Sequence, residues 1–149
     1  MLGLHRRKFL SQLDRSKLEE AIRAAERATT ADIRVAVLPH VRGALAKVAE
    51  LTAQRLGMTA APDRNGVLIL VVPSRRQFHV WGDRAIHEKV GQDFWTSVAA
   101  RISDHFRNGD FTAGLLAGID ETGRELAARF PAEPGAPGSP AFETVVEEP

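Results

Sequence analysis

The stretch that decides the fold is residues 63–95, which read DRNGVLILVVPSRRQFHVWGDRAIHEKVGQDFW. It contains an unbroken apolar run, residues 67–72, that is rich in β-branched side chains and is followed by a proline. Such a run between turn signals is typical of a strand that is covered on both faces. Residues 78–81 form a second strand, and the connection is so short that the two should pair antiparallel. This hairpin brings Asp63 and Asp83 to the same edge of the sheet.

Upstream of the hairpin, the pattern predicts a strand at residues 32–38 and a helix at residues 44–56. Apolar and more polar side chains alternate along the strand, so one of its faces should be more apolar than the other. A strand, a helix and a second strand make a crossover connection, which predicts that the two strands are parallel. Their first residues then lie at one edge of the sheet, where Asp32 joins Asp63 and Asp83.

A first helix is predicted at residues 16–28, because Ser16 and Glu19 have the spacing of a capping box. Its apolar face consists of Leu18, Ile22 and Ala25. The remaining side chains of the helix, Glu26 among them, are expected to be mostly solvent-facing.

Two further helices are predicted at residues 92–107 and 110–130, and 149 residues are enough for one domain with a sizeable core. We therefore predict an α/β fold, a single-domain α/β sandwich in which helices flank a small mixed sheet of three or four strands. The domain is predicted to occupy residues 10–131. It follows a basic lead-in at residues 1–9 and precedes a flexible tail, rich in proline and glutamate, at residues 132–149.

Composition excludes several classes of function. The net charge of +1 gives no support for nucleic-acid binding, although the body without the acidic tail is mildly basic. Because the chain has no cysteine, disulfides, thiolate metal sites and cysteine-dependent phosphatase chemistry are excluded. No window is apolar enough to predict a membrane span, and a cytoplasmic protein is expected.

Four segments carry a resemblance to a known family: TTADIRVAV, DRNGVLILVV, FHVWGDRAIHEKVGQDFW and HFRNGDFTAGLLAGIDETGRELAARFP. In order and spacing they resemble the TPM domain family, and most of all its short bacterial members, over the region from Phe9 to Pro131. The family includes a thylakoid-lumen acid phosphatase. The resemblance implies an α/β sandwich, an acidic depression that binds divalent cations and, in some members, weak phosphatase activity.

Carried over to this sequence, the resemblance implicates Asp32, Asp63 and Asp83 as metal ligands. Carboxylate and carbonyl oxygens are the ligands that Ca²⁺ and Mg²⁺ prefer, and a cation held there could orient and neutralise a phosphate ester. The alternative is an ordinary structural role for each residue. Asp63 would then be a turn residue, Asp83 a helix cap and Asp32 a solvated charge at the end of a strand.

Each of these aspartates has an arginine close by in the sequence, namely Arg34, Arg64 and Arg84. Guanidinium groups could bind the phosphate oxygens of a substrate beside the metal. The alternative is that they neutralise the aspartates in surface ion pairs. The aromatic residues of the helical region, Phe106 and Phe111 among them, have the spacing of core residues.

Two hypotheses of function remain open. The first is a divalent-cation-binding domain that uses Ca²⁺ or Mg²⁺ and has weak phosphomonoesterase activity, as a metal-dependent acid phosphatase. The second is a noncatalytic protein-interaction module or accessory factor. In that case residues 142–146 of the tail, which are apolar within an acidic context, would add a strand to the sheet of an unknown protein partner.

Overall fold

The computed structural model describes residues 12–132 and the backbone of residues 145–147. Within these residues the chain forms five α-helices, α1 to α5, with the bounds Arg15–Glu26, Leu45–Arg55, Arg84–Lys89, Gln92–Arg107 and Phe111–Arg129. It also forms four strands, β1 to β4, with the bounds Ile33–Val37, Val67–Val72, Gln77–Gly82 and Val145–Glu147. The predicted α/β class is confirmed.

The strands form one mixed sheet in the order β3-β2-β1-β4. β1 is parallel to β2, as the crossover predicted, and Ile33 lies opposite Val67. β3 is antiparallel to β2, as the short hairpin predicted, and Gly82 lies opposite Val67 on the other side. Because both neighbouring strands are aligned on Val67, the start of β1 and the end of β3 lie at the same edge of the sheet.

Helices cover both faces of the sheet, and β2 is buried along its whole length. On one face Val67, Ile69 and Val71 belong to a core cluster that includes side chains from α1, α4 and α5. On the other face Leu68 and Leu70 pack in a second cluster with α2. The apolar run was therefore predicted correctly as a strand buried on both faces, and the sandwich is confirmed.

Two local predictions differ from the structure. Helix α1 begins at Arg15, and its cap is Asp14, whose Oδ1 accepts a hydrogen bond from the amide of Lys17 over 3.1 Å. Ser16 therefore lies inside the first turn and is not the cap. Strand β1 is buried on both faces, although its alternating pattern predicted that one face would be more apolar than the other. Arg34 belongs to the more polar face, and it is nevertheless only 8% exposed.

The two ends of the chain are described only in part. The predicted basic lead-in at residues 1–9 lies outside the described residues. Of the predicted flexible tail, Val145–Glu147 forms a strand parallel to β1, with Val35 opposite Val145. Val145 and Val146, the last two residues of the segment 142–146 that was considered for pairing with a partner's sheet, are therefore paired within their own chain. Residues 142–144 of that segment lie outside the described residues.

The packing of α1 against α5 requires a residue without a side chain at position 123. A Cβ added to Gly123 would lie 2.8 Å from the Cβ of Ala25, which has no rotatable bond to relieve the overlap. Overpacking costs about 1–3 kcal/mol, whereas alanine gains about 1 kcal/mol over glycine inside a helix. Gly123→Ala should therefore lower the free energy of unfolding by up to about 2 kcal/mol in urea titrations.

A second variant tests the cause. Ala25→Gly removes the opposing methyl group, so in that background Gly123→Ala should instead raise the free energy of unfolding by about 1 kcal/mol, through helix propensity alone. The same destabilisation in both backgrounds would contradict the assigned contact.

Candidate functional site

Backbone hydrogen bonds define the edge of the sheet at which the aspartates were predicted to meet. The amide of Val67 donates to the carbonyl of Asp32 over 2.8 Å, and the amide of Asp83 donates to the carbonyl of Gly66 over 2.9 Å. The prediction that Asp32 and Asp83 share one edge is confirmed. We call this region the start edge, and it comprises Asp32, residues 64–66 and Asp83.

Asp83 is held by Arg64 at the start edge. The Arg64 guanidinium donates from Nε to Asp83 Oδ2 over 2.7 Å and from Nη2 to Oδ1 over 2.8 Å. The hydrogen bond to Asp83 raises the pKa of Arg64. Oδ1 also accepts from the amide of Arg84 over 2.7 Å, so Asp83 caps α3. Both carboxylate oxygens of this residue, which is 3% exposed, are therefore occupied by donors.

Asp32 forms a second ion pair at the same edge. Its Oδ2 lies 3.1 Å from Nε of Arg34, which is two residues along the same strand. Arg34 also donates from Nη1 to the carbonyl of Leu56 over 3.1 Å, and this bond ties β1 to the end of α2. The Asp32 side chain is 30% exposed and that of Arg34 is 10% exposed. The carboxylate therefore keeps a route to solvent, whereas the guanidinium does not.

Glu26, the last residue of α1, is the residue of this region that the sequence analysis missed. It was expected to face solvent, but it is 8% exposed. It follows Leu18 and Ile22 at intervals of four residues, and this spacing places all three on the same buried face of the helix. Its Oε2 accepts a hydrogen bond from the amide of Ile33 over 3.0 Å. The expectation was wrong because this bond satisfies the carboxyl group inside the protein.

Burial and the neighbouring Asp32 carboxyl group raise the pKa of Glu26 to about 7. Burial is the larger cause, since it disfavours the charged form. The negative charge of Asp32 and a hydrogen bond between the two carboxyl groups act in the same direction. The bond from Ile33 and the charge of Arg34 act against them. Glu26 and Asp32 therefore form one interacting carboxyl pair, in which Glu26 takes up a proton below about pH 7.

The structure does not assemble the three predicted metal ligands into one group. Asp63 is exposed in the turn before β2. Across residues 12–132, no three acidic or histidine side chains come together in a group that could hold a metal ion. Because Asp83 is fully engaged by donors, the set of Asp32, Asp63 and Asp83 does not fit a ready-made cation site.

The three predicted phosphate-binding arginines have different surroundings. Arg34 and Arg64 are ion-paired with Asp32 and Asp83, which corresponds to the alternative considered from the sequence. Arg84 is exposed at the first residue of α3, and its guanidinium has no hydrogen-bond or ion-pair partner in the described part of the chain. Of the three, Arg84 is therefore the one whose donors are available to a ligand.

Comparison with known families identifies the chain. The family model described as the TPM domain matches residues 5–125. The chain belongs to the TPM domain family. None of the curated proteins matches it significantly. No helix in the described residues of this TPM domain is long and apolar enough to cross a membrane.

Two solved structures resemble this TPM domain. The NMR structure of the BA42 protein from the psychrophilic bacterium Bizionia argentinensis has a TM-score of 0.82 at 30% sequence identity, and the match covers 89% of this chain and 91% of that one. The N-terminal domain of a protein from P. gingivalis has a TM-score of 0.64 at 18% identity, covering 78% of this chain and 76% of that one. The second likeness is one of fold alone.

The raised pKa of Glu26 predicts how the stability of this TPM domain depends on pH. The folded protein binds a proton at Glu26 more tightly than the unfolded chain does. The stability that this proton contributes is therefore complete below pH 4.5 and is lost as the pH rises through 7. Glu26→Gln keeps an oxygen for the Ile33 amide but does not titrate. Relative to this variant, the wild type should lose on the order of 3 kcal/mol of unfolding free energy over this range.

Urea unfolding monitored by circular dichroism between about pH 4 and about pH 8.5 measures this difference. Glu20→Gln is the matched control, because Glu20 is an exposed glutamate on the same helix. It should follow the pH dependence of the wild type. A wild-type curve that stays parallel to that of Glu26→Gln would contradict the buried carboxyl pair.

Proposed function

We propose that this chain is a divalent-cation-binding TPM domain whose cation site is the carboxyl pair of Glu26 and Asp32. The observation that carries the proposal is the placement of Glu26, a buried carboxyl group that accepts from the amide of Ile33, the residue directly after the partly exposed Asp32. Two adjacent carboxyl groups repel each other when both are ionised, and either a proton or a cation relieves that repulsion. The site differs from the set predicted from the sequence, since Glu26 replaces Asp63 and Asp83 as the partner of Asp32.

The chemistry of this pair favours Mg²⁺ over Ca²⁺. Ca²⁺ takes six to eight oxygen ligands, whereas Mg²⁺ retains several waters and is commonly held by one or two carboxylates. The pair supplies two carboxyl groups, and the 30% exposure of the Asp32 side chain leaves room for water on that side. Arg34 lies against Asp32 and offsets part of the negative charge. These features support a weak, hydrated site for Mg²⁺.

The proposed activity at the start edge is weak phosphomonoester hydrolysis, as the family resemblance implies. A bound cation would neutralise part of the charge of a phosphate ester. Arg84 would donate hydrogen bonds to the phosphate oxygens, because its guanidinium is exposed and has no partner in the described residues. Arg64 and Arg34 contribute by holding Asp83 and Asp32 in place.

Calorimetric titration of Mg²⁺, with Ca²⁺ in parallel, into metal-free protein at about pH 8 tests the site, because the pair is then largely ionised. Wild type should bind Mg²⁺ saturably, and the double variant Glu26→Gln, Asp32→Asn should lose the binding. Asp63→Asn is the matched control, since it removes one negative charge near the same edge from an exposed turn. It should leave the affinity unchanged.

Binding that survives in the double variant, or that disappears in Asp63→Asn, would contradict the proposed site. Hydrolysis of p-nitrophenyl phosphate then tests the activity. It should require Mg²⁺ and disappear in the double variant, and Arg84→Gln should raise KM about tenfold, the effect of one charge-assisted hydrogen bond. Cation binding without any hydrolysis would contradict the phosphatase activity alone.

A further inference from the structure

A cavity of about 490 Å³ opens at the end of the sheet opposite the start edge, where β2 ends and β3 begins. Val71 and Pro73 line it at the end of β2, and Phe78 lines it from β3. The turn between α4 and α5 closes it on the far side, around Gly109. In open α/β sheets, ligands commonly bind at the carboxyl ends of the parallel strands. We call this space the β2-end cavity.

Three phenylalanine rings form one wall of the β2-end cavity. The ring of Phe106 lies 5.5 Å from that of Phe78 at 72°, and 5.4 Å from that of Phe111 at 83°. A Cβ at Gly114 would lie 2.7 Å from the Phe106 ring, so this glycine lets the ring sit close to α5. All three rings pack against the core and are only half-buried. The wall is therefore aromatic and apolar, a lining that suits a flat apolar group.

The rim of the cavity is positively charged. Among the described residues that line it, Arg76 and Arg107 are charged, and none is acidic. Arg107 is ion-paired with Asp104, one turn earlier on α4. The guanidinium of Arg76 is exposed and has no hydrogen-bond or ion-pair partner in the described residues. The charge of the rim is therefore complementary to an anion.

The backbone of Arg76 adds a second, independent observation. Its φ of 52° and ψ of 40° lie in the left-handed region, which glycine adopts freely and a side chain disfavours. The turn is closed by the bond from the Arg76 amide to the carbonyl of Pro73 over 3.0 Å, which needs no arginine side chain. Neither the backbone conformation nor the hydrogen bond of the turn therefore calls for an arginine at this position.

We propose that the β2-end cavity binds a small carboxylate with a flat aromatic body. Arg76 donates to the carboxylate, and the rings of Phe78, Phe106 and Phe111 pack against the body. The volume lies within the range of about 300–1,000 Å³ that is usual for small-molecule sites. The site is separate from the start edge and does not depend on the function proposed there.

Titration of naphthoate into the ¹⁵N-labelled full chain, followed by NMR of the amide signals, tests this proposal. Naphthoate should bind saturably and shift the amide signals of Gln77 and Gly109, which line the cavity. Naphthylmethanol, its neutral counterpart, should bind about tenfold more weakly because it lacks the charge-assisted hydrogen bond. Acetate, which has no aromatic body, should not bind. Equal affinity for naphthoate and naphthylmethanol would overturn the assignment, as would signal shifts confined to other regions.

Arg76→Gly separates a binding role from a structural one. Glycine relieves the left-handed backbone while removing the guanidinium, so naphthoate affinity should fall about tenfold while the urea midpoint stays the same or rises. Arg75→Gln is the matched control. Arg75 lies in the same turn, but it donates to the carbonyl of Gly43 over 2.9 Å and does not line the cavity. Unchanged affinity in Arg76→Gly, or an equal loss in Arg75→Gln, would overturn the proposal.

Discussion

The register of β2 against its two neighbours is the constraint on which the rest of the structure depends. Val67 lies opposite Ile33 on one side and Gly82 on the other. β2 is buried on both faces. If its pairing slipped by one residue, the side chains that face α2 would instead face α1, α4 and α5. This fixed alignment places Asp32 and Asp83 at a common edge, and the backbone bonds around Gly66 keep them there.

The two ends of the sheet differ in their chemistry as a consequence. At the start edge, arginines balance two of the carboxylates, so the carboxyl group that remains buried and strongly perturbed is that of Glu26. At the opposite end, aromatic rings and Arg76, which has no ion-pair partner in the described residues, line a cavity to which these residues contribute no acidic side chain. The fold thus separates a proposed cation site from a proposed anion site by the length of the central strand.

Sequence patterns predicted the first three strands, the crossover and the common edge, because buried runs and short connections constrain the backbone strongly. They did not predict that β4 of the tail pairs with β1. Nor did they predict the surroundings of individual side chains. Glu26 lies on the apolar stripe of α1, but its charge suggested solvent, and only the nearby Ile33 amide explains its burial. Arg64, with its φ of 49°, has a left-handed backbone in a turn that also contains a glycine, and tertiary contacts with Asp83 and Ala85 hold it there.

The central claim is that Glu26 and Asp32 behave as one carboxyl pair. Carboxyl ¹³C NMR of the metal-free protein across a pH titration tests it most directly, since each side chain reports separately. In the wild type the Glu26 signal should titrate with a midpoint near 7. Because the negative charge of Asp32 contributes to this raised pKa, the midpoint of Glu26 should be lower in Asp32→Asn. A Glu26 midpoint near 4.5, or one that Asp32→Asn leaves unchanged, would contradict the pairing of the two carboxyl groups.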